Sequence, residues 1–292
     1  MTQTLEMPSS PHIETVPAEK EVVIDCRGVS KHFYEPVEGS RTWRNLFLGE
    51  RRRIRAVNQV SFRVYRGEIF GLLGANGSGK STMIRLIATL LFPDAGQLTV
   101  FGKDVVRHQQ DVRRRINRVS VEASFFKKLS SMENLRYTAR LYGLSVREGE
   151  RRALEILRRL GISSQKARVP LENLSRGMQQ KVAIARALMT DPELVLLDEP
   201  TTGLDPKSKR DVQKFLLEVK KGGQTTMILT SHDMDEAEKL CDRIAIIHKG
   251  SLIALDTPEE LKRKTGASTM EEVFFRCTGT EWEEALADED DE

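Results

Sequence analysis

The residues best suited to chemistry lie in one short run, Gly74-Ala75-Asn76-Gly77-Ser78-Gly79-Lys80-Ser81. The spacing fits G-x-x-x-x-G-K-[ST], the pattern of a phosphate-cradling loop. Glycine permits the tight backbone needed to turn successive N–H groups inward. Gly74, Asn76, Gly77, Ser78 and Gly79 are therefore candidates for the cradle. Lys80 is expected to reach the β- and γ-phosphates of a nucleotide, Ser81 to ligate Mg²⁺, and Thr82 to touch the α-phosphate.

A second run, Leu194-Val195-Leu196-Leu197-Asp198-Glu199, has four apolar residues that deliver two carboxylates. A buried strand would carry Asp198 to its C-terminal end, where α/β sheets bind ligands. There Asp198 is expected to hold Mg²⁺, and Glu199 to polarise an attacking water.

These residues need rigid elements behind them. Ile69-Phe70-Gly71-Leu72-Leu73 reads as a buried parallel strand leading into the cradle. Met83, Ile84, Leu86, Ile87, Leu90 and Leu91 recur at helical spacing after it, which predicts a helix over residues 81–91. The helix N-terminus adds partial positive charge where phosphate would sit. Short strands are predicted at 22–26, 60–64, 97–101, 118–121, 194–197 and 225–229. A helix is expected over 107–117. Ser130-x-x-Glu133 is a capping-box signature opening a helix to about residue 142. Another helix follows over 146–160, with Leu154, Ile156, Leu157 and Leu160 on one side and Gly161 as its stop. Asp205-Pro206 is an N-cap and N1 pair opening a helix that ends at Gly222-Gly223. Asp233 caps an acidic first turn, and residues 243–254 read as a hairpin turning at Lys249-Gly250. Alternating strands and helices make this an α/β chain.

The ends differ in composition. Residues 1–20 are rich in Pro, Ser, Thr and Glu, and 281–292 are mostly acidic; both read as disordered tails. Residues 41–55 interleave Trp43, Leu46, Phe47 and Leu48 with six arginines. That stretch reads either as a solvated insertion or as a basic amphipathic segment that touches anionic lipid or a membrane partner.

The 292 residues carry a net charge of +3, too small to argue for nucleic acid. Cys26, Cys241 and Cys277 are scattered and odd in number, which fits neither a disulfide framework nor a metal site. No apolar run approaches the roughly 20 residues of a membrane helix, and no signal peptide is evident. A membrane role would come through a partner.

Between the two nucleotide runs stands Leu174-Ser175-Arg176-Gly177-Met178-Gln179-Gln180-Lys181. The order of phosphate loop, helix-rich block, this motif and Leu-Leu-Asp-Glu-Pro resembles the ATP-binding subunit of ABC transporters, over most of the chain. The later segments Thr257-Pro258-Glu259-Glu260-Leu261 and 268–275 look like the exporter-type branch that serves multidrug, antibiotic, polysaccharide and sodium exporters. The resemblance implies a P-loop NTPase core with a parallel sheet, an antiparallel β subdomain and an inserted α-helical subdomain. The ATP-binding domain would span residues 21–262, with the helical part at about 123–175 and a short C-terminal segment at 263–280.

By the same resemblance, Ser175 and Gly177 belong to a signature that contacts the nucleotide held by a second subunit. Asp205 belongs to the loop at which two subunits face each other. His232, after Thr230-Ser231, matches a switch histidine that contacts the γ-phosphate. Lys31-x-Phe33 resembles the start of an adenine-stacking loop, with Phe33 as the stacking ring and Tyr34 beside it. The expected cofactors are ATP and Mg²⁺. The expected partners are a separate transmembrane permease, contacted mainly by residues 124–132, and a second ATP-binding subunit, identical or paralogous. Nucleic acid is not expected. The chain would sit at the cytoplasmic face of the membrane.

Three positions depart from the family pattern. Arg176 stands where glycine is usual, and Met178 where glutamine is frequent. Val121 stands where the family places a glutamine that reaches Mg²⁺. Either Glu122 takes that role, as a hard oxygen ligand, or no side chain replaces it. Two other readings are a soluble ABC-type ATPase outside transport and a weakly catalytic ATP-dependent switch.

Overall fold

Apolar runs and turn residues resolve into two sheets and two sets of helices. The computed structural model describes residues 20–36, 51–120 and 125–279. In chain order the elements are β1 (Val22–Pro36), β2 (Arg51–Tyr65), β3 (Ile69–Leu73), α1 (Lys80–Ile87), β4 (Ala95–Val100), β5 (Lys103–Asp104), α2 (Gln109–Arg113), β6 (Ile116–Val119), α3 (Ser131–Leu141), α4 (Val146–Arg159), α5 (Arg176–Leu188), β7 (Leu194–Asp198), α6 (Pro206–Lys221), β8 (Thr226–Ser231), α7 (Met234–Leu240), β9 (Arg243–His248), β10 (Ser251–Asp256), α8 (Pro258–Thr265) and α9 (Met270–Thr278). The α/β class, the parallel core sheet and the antiparallel β layer are as expected.

Six strands form the central sheet in the order β10-β9-β3-β8-β7-β6. Within it β3, β6, β7, β8 and β9 run parallel, and β10 closes one edge antiparallel. All residues of β3, β7 and β8 are buried, as continuous apolar runs require in a sheet covered on both faces. Four strands form the second sheet, β2-β1-β4-β5, all antiparallel. One buried core, including Phe70, Ile84 and Val100, joins the two sheets around α1; the other, including Leu135, Leu157 and Phe215, lies among α3 to α7 and the central sheet.

The local signals hold well. Ser130 caps α3 with the full capping box, its hydroxyl accepting from the Glu133 N–H. Asp205 caps α6 and Asp233 caps α7, as predicted. β9 and β10 form the hairpin around Lys249-Gly250.

Non-local pairing changes the rest. β1 and β2 are each fifteen residues long, against the five-residue strands predicted. Positive φ at Gly28 and Gln59 lies where the β1–β2 register shifts, so polar stretches continue a ladder that alternation does not reveal. Arg51 to Arg55 thus pair with Pro36 to His32, so the described end of the basic segment is strand. Residues 1–19, 37–50 and 280–292 lie outside the described residues, with nearly all of the N-terminal tail, all of the acidic C-terminal tail and most of the basic segment. α1 stops at Ile87, because Thr89 turns to φ +57° and Leu90 is exposed. The helix expected over 107–117 shortens to five residues, since Ile116 already pairs with Leu194 in β6. On α4 the buried face is Gly149, Ala153 and Leu157, four residues apart, whereas Leu154 is exposed. Gly149 packs so closely on Ala139 of α3 that a methyl there would overlap it.

Candidate functional site

The sheet order gathers the site. The C-terminal ends of β3, β7 and β8 are neighbours, and from them project the loop at 74–81, Asp198 with Glu199, and His232. Ligands bind at this edge of parallel sheets.

The loop fits phosphate. Gly79 precedes α1 at φ +107°, and a side chain there would strike the Ala56 carbonyl of β2. α1 has no side-chain cap and no acidic residue in its first turn, which leaves its N–H donors for an anion. Ser78 Oγ is buried and finds no hydrogen-bond partner among the described residues. Lys80 is buried and curls over the loop, donating to the Gly74 carbonyl at 2.7 Å and the Ala75 carbonyl at 2.6 Å. Its ammonium lies 4.0 Å from Glu199 Oε1. Thr82 follows Ser81 within the first turn of α1.

Asp198 is the hub at the end of β7, with β8 between that strand and β3. Its Oδ1 accepts from Ser81 Oγ at 3.2 Å and from Thr230 Oγ1 at 2.9 Å. Among the described residues no cluster of three or more His, Cys, Asp or Glu side chains could hold a metal alone. One carboxylate and one hydroxyl are what Mg²⁺ uses when phosphate oxygens and water complete its octahedron. Ser81 and Asp198 fit that ion.

Glu199 sits at φ +49°, in the left-handed region that a non-glycine residue adopts only when held there. Thr230 holds it: the Glu199 N–H donates to the Thr230 hydroxyl at 3.0 Å and lies 3.2 Å from its carbonyl. Glu199 Oε2 accepts from Thr202 Oγ1 at 3.0 Å and lies 3.2 Å from His232 Nδ1. The His232 hydrogen bond, aided by the charges of His232 and Lys80, holds the Glu199 carboxyl below its ordinary value despite burial. The same hydrogen bond raises His232. The pair therefore favours an ionised base beside a protonated imidazole.

The signature residues lie elsewhere. Ser175 caps α5, its hydroxyl accepting from the Met178 N–H. Gly177 packs so tightly that a Cβ would come within 2.8 Å of Ser208 Oγ and 3.3 Å of Asp205 Oδ2. Arg176 lies against Gly203. Ser175, Gly177 and Asp205 thus form one surface with the start of α6. Phe33 is half-buried on β1, with the Lys31 ammonium 6.0 Å from its ring centre, and Tyr34 is exposed. Glu122 and Val121 lie outside the described residues.

Motif reading missed Thr230 and Thr202, the hydroxyls that fix Asp198 and Glu199. Their signal is positional: Thr230 pairs with Asp198 across β7 and β8.

A phosphate cradle, a buried lysine and an Asp–Glu pair, gathered at the C-terminal ends of strands in one parallel sheet, define a P-loop ATPase. A family model for the ABC transporter matches residues 57–202. NatA, an ABC transporter ATP-binding protein of Bacillus subtilis, is 38% identical over 78% of this chain and 93% of its own length. DrrA3, a daunorubicin resistance ATP-binding protein of Streptomyces coeruleorubidus, is 39% identical over 75% of this chain and 69% of its own. Among solved structures, an ATP-binding subunit of an ABC transporter superposes with a TM-score of 0.72 at 28% identity, covering 88% of this chain and 99% of that one. The cassette MJ0796, a dimer in a post-hydrolysis state bound to ADP and Pi, gives 0.69 at 26% identity, covering 80% and 98%. The chain belongs to the ABC transporter family as an ATP-binding subunit. It is an ATPase of that class, with ATP as nucleotide and Mg²⁺ as cofactor.

Proposed function

We propose that this chain powers an exporter by pairing head to tail with a second ATP-binding subunit, each covering the other's nucleotide. The observation that carries the reading is the separation of two surfaces. Lys80, Ser81, Asp198, Glu199 and His232 converge on the phosphate loop, whereas Ser175 and Gly177 pack with Asp205 and Ser208.

In turnover, Glu199 accepts a proton from the water that attacks the γ-phosphate. His232 orients that carboxylate and holds it ionised. Lys80 neutralises charge developing on the phosphate, and Mg²⁺ held at Ser81 and Asp198 supplies further positive charge. Ser175 and the N-terminus of α5 meet the phosphate held by the partner chain. Phe33 stacks on the base.

The permease partner rests on two supports. NatA is named as a transporter subunit and DrrA3 as a resistance protein. On this chain, Phe126, just before α3, and Tyr137 and Leu141 on α3 are exposed, with Phe126 and Tyr137 in edge-to-face contact at 5.3 Å. Exposed patches of this kind mark interaction surfaces. No helix among the described residues is long and apolar enough to cross a membrane, so membrane attachment at the cytoplasmic face would run through that partner.

The test is ATPase activity and sizing of wild type and Glu199→Gln in MgATP. The wild type is expected to turn over, and the variant to lose turnover and accumulate as an ATP-bound dimer. Identical turnover in the two would remove Glu199 as the base.

A further inference from the structure

Behind the catalytic carboxylates lies a cavity of about 480 Å³ between β6, α3 and α5, lined by Arg118, Phe125, Tyr137, Tyr142 and Arg186 among others. Arg118 connects this cavity to the site. It stands on β6, next to β7, and its NH2 group lies 3.7 Å from Asp198 Oδ2. The Asp198 side chain is 6% exposed and that of Arg118 25%. Arg118 Nε is buried and finds no hydrogen-bond partner among the described residues.

The two oxygens of Asp198 therefore face opposite neighbours. Oδ1 takes the hydroxyls of Ser81 and Thr230; Oδ2 faces a permanent cation. Arginine does not lose its proton, so this charge persists at any working pH. A guanidinium so close to a buried carboxylate stabilises it when no metal is present. The same charge repels a divalent ion that enters beside Ser81, and the burial of Asp198 between them weakens the screening of that repulsion.

We propose that Arg118 is a positioning residue that acts as the resident counter-cation of Asp198 and competes with Mg²⁺ for it. Mg²⁺ affinity is then set from the cavity side. Any shift of the guanidinium toward the cavity releases Asp198 to the metal. The buried, unsatisfied Nε makes such a shift favourable whenever an acceptor is offered there. The proposal rests on Asp198 being the metal carboxylate.

The test measures metal retention rather than turnover. Mn²⁺ binding with a non-hydrolysable ATP analogue is followed by electron paramagnetic resonance on the full chain, for wild type, Arg118→Gln, Arg118→Lys and Asp198→Asn. Arg118→Gln is expected to lower the half-saturating Mn²⁺ about tenfold, a change of about 1.4 kcal/mol. Arg118→Lys, which keeps the charge, is expected to stay near wild type. Asp198→Asn is expected to lose Mn²⁺ retention. Unchanged or weaker Mn²⁺ binding in Arg118→Gln, with Asp198→Asn defective, overturns the counter-cation alone. Tighter binding in Arg118→Lys equal to that in Arg118→Gln overturns it too. Full Mn²⁺ retention in Asp198→Asn overturns the metal assignment and this proposal with it. Should Arg118→Gln not fold, Arg118→Met gives the same comparison.

Discussion

The catalytic edge of the central sheet and the signature surface at the start of α5 are built in opposite ways. At the catalytic edge, side chains are buried or half-buried and mostly meet one another: Lys80 folds onto its own loop, Asp198 receives two hydroxyls, and Glu199 is fixed by Thr230, Thr202 and His232. At the signature surface, Ser175, Arg176 and Asp205 are exposed, and Gly177 and Ser208 are buried beneath them. A site whose groups already meet can bind nucleotide within one chain. A capped helix end facing outward completes a site only on another molecule. The contrast teaches that binding and turnover are separable: one surface suffices for the first, and both are needed for the second.

The largest expected effect strikes the catalytic edge. Glu199→Gln keeps the size and the Thr202 contact and removes the base, so turnover should fall about 10²–10⁴-fold while ATP binding persists. Initial rates and nucleotide titration check the two halves of that statement. Gly177→Asp strikes the other surface. Its side chain would crowd Ser208 and Asp205, and its charge would repel the partner's nucleotide. Turnover should drop about 10²-fold, equivalent to about 2.7 kcal/mol, with ATP binding to the isolated chain unchanged. Loss of ATP binding in Gly177→Asp would break the comparison.

A pH profile sharpens it further. Glu199 lies below its ordinary value of 4.5, so its contribution to stability is present above that value and is lost as pH falls through its folded value. His232 lies above its ordinary value of 6.5, so its contribution is present below that value and is lost as pH rises through its folded value. The pair acts at full strength only between these two ordinary values. His232→Ala removes the largest cause of the Glu199 shift, so the acid limb of kcat/KM should move to higher pH. An unmoved limb would uncouple the two residues. The smallest effect belongs to the α3 cap: Ser130→Ala should cost about 1 kcal/mol and lower Tm by a few degrees, without altering ATP affinity.

Legibility in the sequence followed locality. The phosphate loop, the apolar strand before Asp198 and the caps at Ser130, Asp205 and Asp233 each depend on a few consecutive residues, and each was readable. What crosses the sheet was not. Thr230 reaches Asp198 and Glu199 only because β7 and β8 are neighbours, and Arg118 meets Asp198 only because β6 lies beyond β7. The polar halves of β1 and β2 are strands by pairing rather than by alternation. Leu154 shows the limit of counting apolar residues on a helix, because Gly149 and Ala153 set the face that α3 covers.

The central claim is that one working site takes its two surfaces from two chains. Mixing tests it directly. Lys80→Ala disables the catalytic edge and leaves the signature surface intact; Gly177→Asp does the reverse. Each variant alone should be severely impaired, and a mixture should regain much of the ATPase activity, since a mixed pair holds one site with both surfaces native. An inactive mixture of two folded variants, each shown by sizing to pair with the other in MgATP, would contradict the account.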